Sequence, residues 1–197
     1  MAGIRTEARN ETRRAVLKAS DRLFHERGFQ ATTVRGIARE AGVSAGTVMS
    51  VGDKEALLVE LFDSLIEERQ THADMQNYAA DPRCGADAVG VVESFAALFD
   101  ERRGLAQVYA SVLVSGRHSS VVFTDLAQRL TAAFQQVIKA CGCSNATEAR
   151  RRAKALHAAY IGTLFMWSAT PETSAQQFLA QLREIFAAIC PHAGEKS

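Results

Sequence analysis

Thr33-Val34-Arg35-Gly36-Ile37-Ala38-Arg39-Glu40-Ala41-Gly42-Val43-Ser44-Ala45-Gly46-Thr47-Val48-Met49-Ser50 reads as helix, tight turn, helix. Thr33 offers a side-chain oxygen to cap a helix beginning at Val34. Val34, Ile37, Ala38 and Ala41 then recur at helical spacing. Gly42 supplies the left-handed terminator. Ser44 is a second N-cap, for a very short helix running to about Ser50. Gly36 stands where a Glu or Gln would complete a capping box, so packing against neighbours must supply the missing specification.

A helix this short does not hold itself together in water, because nucleation is unfavourable. The flanking sequence supplies the support. From Glu11 to Arg27, Val16, Leu17, Leu23 and Phe24 recur on one side, and Gly28 ends the run with Phe29 just beyond it. Val16, Leu23, Phe24, Phe29, Val34, Ile37, Ala38 and Val43 can close one small core around three helices, with Val48 anchoring the inner side of the third. Its outer side is then free to enter a DNA major groove roughly 12 Å wide. Downstream, Asp53 caps a further helix whose stripe is Leu57, Leu58, Leu61, Phe62, Leu65 and Ile66, extending toward His72.

The rest of the chain keeps the helical period. After a break at Asp81-Pro82-Arg83-Cys84-Gly85, helices are expected over about 86–101, 104–115, a longer segment from Val122 to Ile138, 146–168 and 173–190. No strand run or internal repeat interrupts them. The expected architecture is all-α, about nine helices: an N-terminal arm and three-helix helix-turn-helix domain over 1–54, then a helical regulatory and dimerisation domain over 55–197.

Hydrophobic residues at 47% against 23% charged give the balance of a soluble globular chain. No apolar run is long enough to span a bilayer, and no signal segment is read at the start, which makes the cytoplasm the expected location. Residues 1–54 hold ten basic and six acidic groups, the remainder thirteen and sixteen. A positive head on a slightly negative body suits attraction to phosphate. The five histidines are dispersed, with no metal triad or phosphate loop, so neither a metal nor a cofactor is expected and an enzyme is a minor alternative. Cys84, Cys141, Cys143 and Cys190 lack paired zinc-ligand spacing. Cys141 and Cys143 flank Gly142 as a hinge, or alternatively as a redox- or metal-sensing pair. Structural disulfides are not anticipated.

The sequence resembles the TetR family of bacterial transcriptional regulators over residues 13–61. Phe24-His25-Glu26-Arg27-Gly28-Phe29, Thr32-Thr33-Val34 and Ile37-Ala38-Arg39-Glu40-Ala41-Gly42-Val43-Ser44 carry the likeness, followed by Gly46-Thr47-Val48 and Asp53-Lys54-Glu55-Ala56-Leu57-Leu58. Several linked motifs in order are far more specific than a lone helix-turn-helix. The resemblance implies a dimer that binds operator DNA and leaves it when an effector binds. Met49-Ser50-Val51-Gly52-Asp53-Lys54 departs from the family pattern: it lacks the usual aromatics and is one residue shorter.

Candidate DNA contacts are Ser44, Ala45, Thr47 and Ser50 on the groove side, with Met49 packing into the head or touching a thymine methyl or sugar. Thr33, Arg35 and Lys54 are candidates for the phosphates, although Thr33 also serves as a cap and Lys54 as a first-turn cation. Arg5 and Arg9 are read as an arm over DNA, with Arg13, Arg14 and Arg39 as further backbone candidates. Phe95, Phe99, Tyr109, Val112, His118, Phe123, Leu126, Leu130 and Phe134 are the candidate lining of a site for a small, partly hydrophobic effector; core packing explains the same side chains. Leu156, Ala159, Tyr160, Leu164, Trp167, Phe178, Leu182, Ile185, Phe186 and Ile189 are the candidate homodimer interface, with internal packing in a monomer as the alternative. The expectation is a DNA-binding repressor released from a palindromic operator, with an activator of the same fold as the main alternative. An interaction adaptor is a lesser one.

Overall fold

The computed structural model describes residues 2–73, 88–142, 144–170 and 172–191, and every described element is helical. The order is α1 (Ala2–Ala31), α2 (Val34–Ala41), α3 (Ala45–Val51), α4 (Lys54–Ala73), α5 (Gly90–Glu101), α6 (Arg103–Val114), α7 (Val121–Cys141), α8 (Ala146–Ser168) and α9 (Ala175–Ile189). The fold class is all-α, as the periodicity predicts. Pro82, Cys84, Cys143 and Pro171, and the expected helix start at Ala86, lie outside the described residues.

Most helix boundaries follow local chemistry. Thr33 Oγ1 accepts from Gly36 N at 3.0 Å, Ser44 Oγ from Thr47 N at 3.0 Å, and Asp53 Oδ1 from Ala56 N at 2.8 Å. Each satisfies a first-turn amide that has no partner within its helix. At Gly36 a Cβ would stand 3.2 Å from Thr33 Oγ1, a tight contact. Gly42 ends α2 at φ 68°, and the Gly42 and Val43 amides return to Arg39 O and Ala38 O.

The N-terminus differs from the expected arm. Residues 2–10 form the first turns of α1, because nothing in that stretch breaks a helix. Gly28, at φ 77°, interrupts α1 before its last turn.

The chain packs as two compact units. One comprises residues 1–65 with 102–120; the other comprises 66–101 with 121–197. In the first, Val16, Ala19, Leu23, Ile37, Ala38, Val48 and Leu57 form a closed core, with Leu17, Val34, Ala41, Val43 and Val51 packed around it. α6 belongs to this unit, its Tyr109 ring stacked on Phe62 of α4 at 4.8 Å. In the second, α7, α8 and α9 pack around Phe134, Tyr160, Trp167, Phe178 and Phe186. Phe134 meets Phe186 edge-on at 5.5 Å, and Trp167 stacks on Phe178 at 4.6 Å.

The cysteines depart from expectation. Cys190 is disulfide-bonded and buried. Sequence spacing alone carries no sign of such a bond, since bonding distance is set by the fold. No described helix is long and apolar enough to cross a membrane.

Candidate nucleic-acid interface

The core that includes Val16, Ile37 and Leu57 fixes which way α3 faces. Val48 is fully buried, whereas Ser44, Ala45, Gly46, Met49 and Ser50 are exposed and Thr47 is half-buried. Five of the predicted groove residues are thereby brought onto one short helix and its cap, with the inner side anchored as expected. Gly46 shares this face and was not singled out from sequence. It has no functional side chain to give a signal.

The hydroxyls on this face also stiffen the helix. Ser44 Oγ lies 2.8 Å from Thr47 Oγ1, and Ser50 Oγ donates to Thr47 O at 2.7 Å. The short connection to α4 is possible because Gly52 lacks a side chain. A Cβ there would meet Ala56 Cβ at 3.0 Å. The unusual Met49–Lys54 segment is thus accommodated by a close approach between the end of α3 and the first turn of α4.

Of the expected phosphate contacts, Thr33 and Arg35 are exposed at the start of α2. Lys54 is used differently. Its Nζ donates to Phe29 O at 3.0 Å and Thr32 O at 3.1 Å, and sits 4.2 Å from the Phe29 ring centroid. Those carbonyls lie at the end of α1, where a cation is favoured. Arg13 is likewise engaged, donating through Nε and Nη2 to both carboxylate oxygens of Glu60 at 2.6 Å. Arg14 and Arg39 remain exposed.

The same unit carries a polar seam between α4 and the segment around α6. Asp63 accepts from Tyr109 OH at 3.1 Å and from Ser120 Oγ at 2.7 Å. Burial pushes the Tyr109 phenol well above its ordinary range, so it stays protonated and able to donate. Arg117 pairs with Glu55 at 3.0 Å, and His118 Nε2 lies 3.5 Å from Asp53 and 3.6 Å from Glu55. Arg102 pairs with Asp21. Sequence offered no sign of this seam, because its partners are dozens of residues apart.

The candidate effector lining is divided between the two units. Tyr109 and His118 face α4 and its cap, and Val112 is buried in the same unit. Phe95, Phe99, Leu126, Leu130 and Phe134 are buried in the other unit and Phe123 is half-buried there, so core packing accounts for most of the set. The candidate dimer residues divide by burial. Leu156, Tyr160, Trp167, Phe178, Leu182 and Phe186 are core residues of the protomer, and only Ala159, Leu164, Ile185 and Ile189 retain partial exposure. The apolar side chains that α8 leaves to solvent are Ile161, Phe165 and Met166. None of the three is among the candidate interface residues read from the sequence.

Comparison with known proteins agrees with this geometry. The family described as "Bacterial regulatory proteins, tetR family" matches residues 16–61, the span of the core that holds α3. The HTH-type transcriptional regulator TtgR of Pseudomonas putida is 30% identical over 128 residues, covering 60% of this chain and 55% of that protein. The uncharacterised HTH-type regulator YerO of Bacillus subtilis is 45% identical over 51 residues, 25% of this chain and 18% of its own. The chain therefore spans about half or less of the length of these curated relatives. In fold it is similar to Thermus thermophilus FadR, a TetR-family transcriptional repressor solved with lauroyl-CoA, at a TM-score of 0.62 and 20% identity, covering 88% of this chain and 92% of that one. Residues 16–61 thus match the TetR family of bacterial regulatory proteins, and it is over this span that the chain is similar to that family.

Proposed function

We propose that the protein is a homodimeric repressor that holds a palindromic operator through two copies of α3 and leaves it on binding a small, partly hydrophobic effector. The observation that carries this reading is the orientation of α3: Val48 is fully buried, and Ser44, Ala45, Met49 and Ser50 stand outward. Thr33 and Arg35, exposed at the start of α2, are candidates for the phosphates. Functionally, residues 1–54 read DNA and residues 55–197 regulate and assemble.

A second copy of the chain is the natural occupant of the exposed side of α8. Ile161, Phe165 and Met166 lie within two turns of each other beside the small residues Ala158 and Gly162, which permit close helix approach. Charged residues are absent from 155–168, as suits the centre of an interface. Regulation is supported by the seam at Asp63, Glu55 and Asp53. A change that draws Tyr109, Arg117, His118 or Ser120 away acts directly on the first turns of α4, next to α3. Repression follows from occlusion of a promoter by a bound dimer.

The test is selection of duplexes from a random library by the purified full chain, followed by affinity measurements across ionic strength and a promoter assay. Enrichment of an inverted repeat, steep salt dependence and lowered transcription are expected. Failure of any duplex to outcompete random DNA would reject the regulatory reading. Raised transcription from a bound promoter would replace repression with activation.

A further inference from the structure

We infer that Met49, with Ala45 one turn before it, reads thymine, so that each operator half-site is recognised through thymine C5-methyl groups. The inference rests on the reading that α3 enters the major groove, and specifies what it finds there.

The residues of α3 are Ala-Gly-Thr-Val-Met-Ser-Val, without an Arg, Lys, Asn, Gln, Asp or Glu among them. The paired donors and acceptors by which side chains distinguish guanine, adenine and cytosine are therefore missing from this helix. Its hydroxyls are at least partly exposed but engaged within the helix and its cap. Ser44 Oγ accepts from Thr47 N at 3.0 Å and lies 2.8 Å from Thr47 Oγ1, while the Ser50 proton goes to Thr47 O at 2.7 Å.

Beside these engaged hydroxyls, α3 offers carbon and sulfur outward. Met49 is 52% exposed on a head whose other large apolar side chains are mostly covered. Ala45 lies four residues earlier, and side chains at that spacing share one helix face about 5–6 Å apart at Cβ. In the major groove of unmodified DNA, the one apolar group on a base edge is the thymine methyl. A flexible thioether beside a small methyl group fits such a surface and leaves no polar atom unpaired.

The experiment uses the full chain and the duplex it enriches. Each thymine is replaced in turn by uracil, which keeps base pairing and removes only the methyl group. One or two positions per half-site are expected to weaken binding, about fourfold for each methyl lost from contact. Met49→Ala should bind the unmodified duplex more weakly and lose its response to uracil at those positions. As Met49 is exposed, this variant should retain its helical circular dichroism. Met49→Gln supplies an amide and should shift preference at the same position from thymine toward adenine.

An enriched duplex in which every uracil substitution is neutral overturns the inference and leaves DNA recognition by α3 standing. So does a Met49→Ala protein that binds with unchanged affinity and keeps the uracil response. Absence of any enriched duplex overturns both readings together.

Discussion

The Lys54 ammonium, 4.2 Å from the centroid of the Phe29 ring, joins the start of α4 to the end of α1 through two backbone carbonyls. Removing it while keeping an unbranched stem isolates the charge. Lys54→Met should lower stability by about 1–2 kcal/mol in urea unfolding, from charged hydrogen bonds and a half-exposed cation–π contact. The salt dependence of duplex binding should stay unchanged. A slope reduced by about one, with stability intact, would return Lys54 to the phosphate role. The lysine was legible as a first-turn cation. Its partners were not, because Phe29 lies 25 positions away.

Among the elements, α8 makes two uses of one helix. Ala149, Ala153, Leu156, Tyr160, Thr163 and Trp167 keep the 3.6-residue period and are buried in the protomer; Ile161, Phe165 and Met166 lie off that row. His157 sits between the two faces with Nε2 buried and no hydrogen-bond partner among the described residues. Burial pushes its pKa below the ordinary histidine value. The folded state then binds fewer protons than the unfolded chain, so this contribution is intact above about pH 6.5 and is lost as pH falls through the folded value. His157→Leu should flatten that part of the pH dependence, read as urea midpoints at pH 7.5 and 5.5 at one protein concentration. An unchanged difference between the two pH values would remove His157 as its source.

At the scale of the molecule, the proposed function depends on two copies acting together. Phe165→Glu places a charge in the exposed apolar patch of α8 without touching the protomer core. It should leave thermal unfolding of the protomer near normal and shift the sedimenting species to the 21.4 kDa monomer. Affinity for an inverted repeat should fall by about 10²–10⁴-fold as the two heads lose their linkage. A Phe165→Glu protein that remains dimeric would move the interface elsewhere.

Local sequence was enough to set the helices, their caps at Thr33, Ser44 and Asp53, the stop at Gly42 and the inward anchor at Val48. These depend on residues within a few positions of each other, where periodicity and capping act. Long-range packing was needed to bring Lys54 onto α1 and Tyr109 and Ser120 onto Asp63, and to choose which apolar row of α8 lies inside the protomer. Those outcomes join residues as much as 57 positions apart. An apolar side chain carries the same pattern whether its partner lies in its own core, in another subunit or on a base, so packing alone assigns it.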